Sequence, residues 1–182
     1  AADAYTASET FRKKEFPLRF RLDRSDSVMM EFKGVSFDTV TSDVTGGRLY
    51  RFTGKPETFT VPYFNKQKVA AGAMLPEAYI VPPEWTDVIQ RLAIHGVEFQ
   101  RLFAPATLEV HSCRFENCKW QEEPFEGRHP MEFEVKPIVE TRTYPKGSVV
   151  VDMNQAASQV AAHILEPKGP DSYVQWGFFD TV

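Results

Sequence analysis

The stretch Ala78 to Leu102, AYIVPPEWTDVIQRLAIHGVEFQRL, constrains the fold most, because it spells out a strand, a helix and a second strand with their boundaries. Ala78-Tyr79-Ile80-Val81 is a short apolar run that Pro82-Pro83 ends, since proline cannot donate to a ladder. A helix is expected to follow, with Pro83 at its first position and Glu84 and Asp87 near the positive end of its dipole. Trp85, Val88, Ile89 and Leu92 recur at i, i+3, i+4 and i+7, which makes one apolar face. Gly96 supplies the left-handed residue that stops the helix, and Val97 to Leu102 reads as the second strand. Two strands of one sheet joined through a helix most simply lie parallel, with a right-handed crossover.

The rest of the chain is mostly strand. Residues 1 to 15 place Tyr5, Ser8 and Phe11 at helical spacing and read as a linker or the end of a helix from a preceding domain; residues 16–182 read as one domain. Leu18, Phe20 and Leu22 alternate with Arg19 and Arg21, the pattern of a half-buried strand. Ser27 to Val40 is a second, longer strand with a bend or bulge expected at Gly34. Leu49 to Phe52 continues as strand, Gly54-Lys55-Pro56 is expected to turn, and Thr58 to Phe64 follows, with Pro62 directing it to an edge. Lys66 to Leu75 reads as extended. Ala106 to Trp120 is strand-like with a break near Glu116-Asn117, Gln121 to Pro130 is a polar loop, and Met131 to Tyr144 alternates as a long strand. Pro145-Lys146-Gly147 turns into the buried-type strand Ser148 to Asp152. Asn154 then stands as N-cap of a helix carrying Ala157, Val160, Ala161, Ile164 and Leu165, stopped before Pro167. The expected fold is α+β: mostly antiparallel β-strands with two strand-helix units forming a mixed sheet.

At 182 residues with 42% hydrophobic composition, including 15 Phe, the chain can bury a continuous core. The net charge is −4 and the only basic run is Arg12-Lys13-Lys14, so the footprint of nucleic-acid binding is missing. No apolar run approaches the ~20 residues of a membrane span. An opening of Ala1-Ala2-Asp3 without methionine fits a processed or excised chain. Cys113 and Cys118 face one another and close a disulfide if the tetrapeptide between them is a hairpin loop; otherwise they are ordinary thiols.

Three places carry residues suited to chemistry. His95-Gly96-Val97-Glu98 has His-x-x-Glu spacing, but Gly96 breaks the helix between the two side chains, and three residues along a strand point to opposite faces. A zinc site also needs a third ligand, so His95 and Glu98 are weak metal candidates and a capping or surface histidine is the plainer reading. Glu123, Glu126, Arg128 and His129 concentrate charge in the loop Gln121 to Pro130, as functional loops and solvated turns both do. Tyr173, Trp176, Phe178 and Phe179 make an aromatic tail, either core and interface or a stacking platform. From these, Glu126, Arg128, His129, Tyr173 and Trp176 are the candidate binding residues, and no residue is assigned as catalytic. No Gly-x-Ser-x-Gly, phosphate-cradling loop or cysteine triad is present.

FPLRFRLD at 16–23, KPETFTVPYFN at 55–65, AYIVPPEW with the helix to LAIHGVEFQRL at 78–102, PFEGRH at 124–129 and LEPKGPDSYVQWGFFD at 165–180 give the chain a family likeness. Over nearly all of its length it resembles the C-terminal region of bacterial zinc carboxypeptidase-like metallopeptidases. The resemblance implies an upstream domain of the same polypeptide that holds zinc and hydrolyses peptides, and a periplasmic or secreted location. It carries no catalytic residue onto this chain and implies no cofactor within it. It places His95 and Glu98 in an accessory region. The function it implies is that of a non-catalytic accessory domain supporting substrate access or domain packing. The alternative is a carbohydrate- or peptide-binding module carried by a peptidase.

Overall fold

The computed structural model describes residues 2–180. In chain order its elements are α1 (Ala2–Thr6), α2 (Glu9–Arg12), β1 (Glu15–Leu22), β2 (Val28–Thr41), β3 (Arg48–Tyr63), β4 (Gln67–Met74), β5 (Ala78–Val81), α3 (Thr86–Ile94), β6 (Gln100–Arg101), β7 (Ala106–Trp120), β8 (Met131–Tyr144), β9 (Val149–Asp152) and α4 (Ser158–Leu165). The chain forms two compact units, one from the residues up to Phe20 with those from Val69 onward, the other Arg21–Lys68. The fold is mostly antiparallel β with few helices.

The larger unit is built on the apolar strand β9. It lies between β5 and β6 and is antiparallel to both, so β5 and β6 run parallel to one another with β9 inserted between them. Every strand pair of described register is antiparallel, so the mixed sheet expected from the sequence is not found among them. Val149 and Val151 of β9 are fully buried, and Val88, Ile89 and Leu92 of α3 and Ala161 and Ile164 of α4 join them in one hydrophobic cluster. Phe11 from α2 and Phe16 and Leu18 from β1 belong to the same cluster. Thr6 and Ser158 tie the opening segment down: Thr6 Oγ1 donates to the Ala156 carbonyl and the buried Ser158 Oγ donates to the Thr6 carbonyl.

The end of α3 follows its sequence. Gly96 has φ +74°, Val97 N–H donates to Leu92 C=O and Gly96 N–H donates to Ala93 C=O, the paired bonds of a Schellman motif. Val97 and Leu92, brought together by that motif, are both buried. The beginning differs from expectation. The prolines make a turn, with Trp85 N–H donating to Pro82 C=O, and the helix starts only at Thr86. The strand expected over Val97 to Leu102 shrinks to Gln100–Arg101. Its physical cause is Gln155, whose side-chain amide accepts from Glu98 N–H and donates to Glu98 C=O, taking the place of a neighbouring strand. Asn154 does not cap α4: its N–H is held by Asp152 Oδ1, and the helix begins four residues later at Ser158.

The smaller unit is a two-stranded ribbon, β2 paired with β3. β3 runs unbroken through Gly54-Lys55-Pro56, where a turn was expected. Val35 pairs with Pro56 and Phe37 with Phe52, so β3 loops out extra residues opposite Ser36, and the positive φ of Gly54, +78°, accommodates them as a bulge. The β7–β8 ribbon of the larger unit carries a bulge between Glu116 and Lys119, with Asn117 at φ +55°. Cys113 and Cys118 therefore lie along one strand instead of across a hairpin loop; both are free thiols, and the conditional disulfide of the sequence loses its geometry.

Candidate functional site

The closed end of the β7–β8 ribbon meets the C-terminal segment, and several of the sequence candidates converge there. Gln121 N–H donates to Pro130 C=O at the loop's base, and Phe125 and Arg128 exchange backbone bonds of 2.8 and 3.0 Å. Glu126 at φ +51° and Gly127 at φ +76° fill the two central positions of that turn, the signature of a type I′ hairpin turn. Arg128 and His129 leave this turn together. The other wall is a helical turn over Ser172–Phe178, ended by Gly177 at φ +65° with Phe178 N–H donating to Tyr173 C=O and Gly177 N–H to Val174 C=O. It repeats the stop signal of α3 and presents Trp176 just before the glycine.

Arg128 joins the two walls. Its Nη1 donates to the Trp176 carbonyl at 3.2 Å and its guanidinium carbon lies 4.2 Å from the centre of the Phe178 ring. Trp120 Nε1 donates to Asp180 Oδ2 at 3.0 Å, and the Phe125 and Trp176 rings lie 6.0 Å apart. His129 Nδ1 stands 2.8 Å from the Gln121 carbonyl; a carbonyl only accepts, so Nδ1 carries the proton and Nε2 is left as an acceptor in the neutral ring. Trp120, Arg128, His129, Trp176 and Asp180 line an open cleft of about 490 Å³.

The other candidates go elsewhere. Glu126 is exposed and shapes the turn through its backbone. Tyr173 is 7% exposed and packs on Phe178 at 4.6 Å as part of the core. Burial pushes its hydroxyl pKa up, opposed by the Arg91 charge. His95 is the C-cap of α3 and Glu98 is fixed by its backbone to Gln155; both side chains are exposed. Among the described residues no group of three or more His, Cys, Asp or Glu has a geometry that could hold a metal ion. Trp120 and Asp180 are the lining residues that sequence reasoning misses. The signal for Trp120 was its place beside the polar loop; Asp180 has no local signal, because its partner lies 60 residues away.

A second polar cluster lies by α4. Tyr79 donates to Glu166 Oε1 at 2.5 Å. Burial, followed by the Glu166 charge, pushes the tyrosine pKa far above its usual range. Burial also raises the Glu166 carboxyl, against the lowering effects of Tyr79 and Lys168. Cys113 is raised by burial and then by Glu166, which leaves it a poor thiolate and a poor nucleophile at neutral pH.

What the site offers is a cleft with two indoles, one guanidinium, one carboxylate and one imidazole, the make-up of a recognition surface. Comparison with known proteins gives the chain's relations. Carboxypeptidase 2 of Trichophyton rubrum is 30% identical over 102 residues, covering 56% of this chain and 19% of that protein. Carboxypeptidase 2 of Trichophyton tonsurans matches to the same extent. Probable carboxypeptidase 2 of Arthroderma benhamiae is 28% identical over 96 residues, 53% of this chain and 18% of that protein. The chain spans about a fifth of the length of these relatives. No family model matches, and no solved structure matches. The chain thus contains a carboxypeptidase-related region.

Proposed function

We propose that this chain is a non-catalytic C-terminal accessory domain of a zinc carboxypeptidase-like peptidase, supporting substrate access or domain packing for hydrolysis by an upstream domain. The observation that carries the reading is the relation to Carboxypeptidase 2 proteins over 102 residues. The resemblance of the blocks at 16–23, 55–65, 78–102, 124–129 and 165–180 to bacterial enzymes of that type supports the same reading. On this reading zinc belongs to the upstream domain, which is this domain's partner within one polypeptide, and the whole protein works in the periplasm or outside the cell. The residue-level support is that His95 and Glu98 flank the helix-ending Gly96 and that Glu98 is held through its backbone. The chain alone is expected to hydrolyse no C-terminal residue from a peptide, while deleting it from the parent enzyme lowers that enzyme's yield or turnover. Hydrolysis by the chain alone overturns the reading.

A second reading is favoured by the cleft: a carbohydrate- or peptide-binding module carried by a peptidase. Arg128, His129 and Trp176 gather around one opening there, with Trp120 and Asp180 completing it. Binding of a glycan or peptide by the chain, lost on substitution of Trp176, supports this reading; binding to the upstream domain alone contradicts it.

A further inference from the structure

The geometry points to a neutral saccharide as the ligand of the cleft between the β7–β8 turn and the C-terminal segment, an inference that rests on the binding-module reading and narrows it. Three observations carry it. The first is aromatic. Trp120 keeps 52% of its surface exposed although its indole N–H is already bonded to Asp180. That bond fixes the ring's orientation without covering it, and Trp176 is held on the other wall by its backbone turn and by Phe125. Fixed indole faces of this kind suit the C–H faces of a sugar ring, which ask for flat apolar contact beside polar groups.

The second observation concerns hydrogen bonding. Arg128 has five N–H donors, of which one is given to the Trp176 carbonyl, and its guanidinium carbon sits over the Phe178 ring. His129 Nε2 is an acceptor because Nδ1 is committed to the Gln121 carbonyl, and Asp180 retains acceptor capacity beyond its bond to Trp120. Donors and acceptors therefore stand together in the cleft. A hydroxyl group both donates and accepts, so a row of sugar hydroxyls can meet both kinds; a carboxylate or phosphate can only accept.

The third observation is charge. Arg128 and Asp180 cancel, which leaves the lining neutral when His129 is neutral. Both charges line the same cleft, so neither an anion nor a cation meets a lining of purely opposite sign. A peptide C-terminal carboxylate is therefore disfavoured relative to an uncharged polyhydroxyl ligand. The volume of about 490 Å³ falls within the range of about 300 to 1,000 Å³ usual for small-ligand sites.

The test is isothermal titration of the 182-residue chain with chitotetraose, cellotetraose and xylotetraose, and with an uncapped tetrapeptide ending in a free carboxylate. At least one oligosaccharide is expected to bind and the peptide is not. Trp176→Ala is expected to weaken that binding at least tenfold. Since this change can disturb the packed C-terminal segment, the surface variants His129→Ala and Asp180→Asn are measured too, each expected to weaken binding at least threefold with an unchanged circular dichroism spectrum. Sugar binding that none of the three changes moves overturns the cleft assignment but leaves a binding module. Binding of the peptide alone overturns the saccharide and also leaves the module. No binding to any probe overturns both this inference and the module reading, without touching the accessory-domain reading.

Discussion

The two long ribbons, β2–β3 and β7–β8, are built from strands of similar length and each has a bulge, yet they are stabilised differently. Neither β2 nor β3 contains a single buried residue. Directly opposed residues of an antiparallel pair share a face, so Val28, Met30 and Phe32 lie with Tyr63, Val61 and Phe59 on one side of that ribbon. Four of those six are exposed, Phe32 at 54%. β8, by contrast, has buried residues at both ends, Met131 and Tyr144, and the closed end of the ribbon beside Met131 is fastened to the C-terminal segment through Arg128 of the loop and Trp120 of β7. Backbone pairing gives a ribbon its register; burial of its ends gives it stability, since a lone two-stranded hairpin is marginal in water. The ribbon with anchored ends is also the one that forms the cleft.

The largest expected effect breaks the comparison at its buried end. Leu92 is fully buried in the cluster around β9, and Leu92→Ala is expected to cost about 2–5 kcal/mol in denaturant unfolding. Phe32→Ala on the exposed face of β2 is expected to cost less than about 0.5 kcal/mol in the same measurement. A loss at Phe32 equal to that at Leu92 contradicts the contrast. Between these lies Gly96→Ala. No atom lies within 4 Å of an added Cβ, so the cost is purely that of the left-handed backbone, about 1–2 kcal/mol.

Tyr79→Phe sharpens the account of the second cluster. Removing the hydroxyl takes away a bond that lowers the Glu166 carboxyl, so Glu166 rises further and stability falls by about 1 kcal/mol at neutral pH. The sign follows from linkage. Glu166 has a folded pKa above 4.5, so between 4.5 and that raised value the folded chain holds a proton the unfolded chain has lost. Its contribution is fully present below 4.5 and is lost as pH rises through the folded pKa. Unfolding free energy followed from pH 4 upward is expected to show this decline in the wild type, reaching higher pH in Tyr79→Phe; Glu166→Gln is expected to remove it. The smallest effect is kinetic: amide hydrogen exchange is expected to be faster along β2–β3 than along β9, and equal protection of the two counts against the comparison.

Parts of this structure were legible in the sequence because their causes are local. The apolar face Val88, Ile89, Leu92 and the stop at Gly96 needed only the chain's own period and one positive φ. The strand after Gly96 is shorter than its local sequence implies because Gln155, 57 residues on, occupies the Glu98 backbone. Gly54-Lys55-Pro56 read as a turn because a glycine at positive φ serves a bulge equally well, and only the partner strand decides which it is. The cleft divides in the same way. Arg128, His129 and Trp176 were visible as charged loop and aromatic tail, whereas Trp120 and Asp180 become neighbours only when the hairpin closes on the C-terminal segment.

The most direct test of the proposed accessory role is the zinc content of the purified chain after dialysis against a low concentration of zinc, read by mass spectrometry and set beside peptide hydrolysis. Far less than one zinc per chain and no hydrolysis are expected, with His95→Ala changing neither. One tightly held zinc per chain, with hydrolysis that His95→Ala abolishes, would contradict the accessory role.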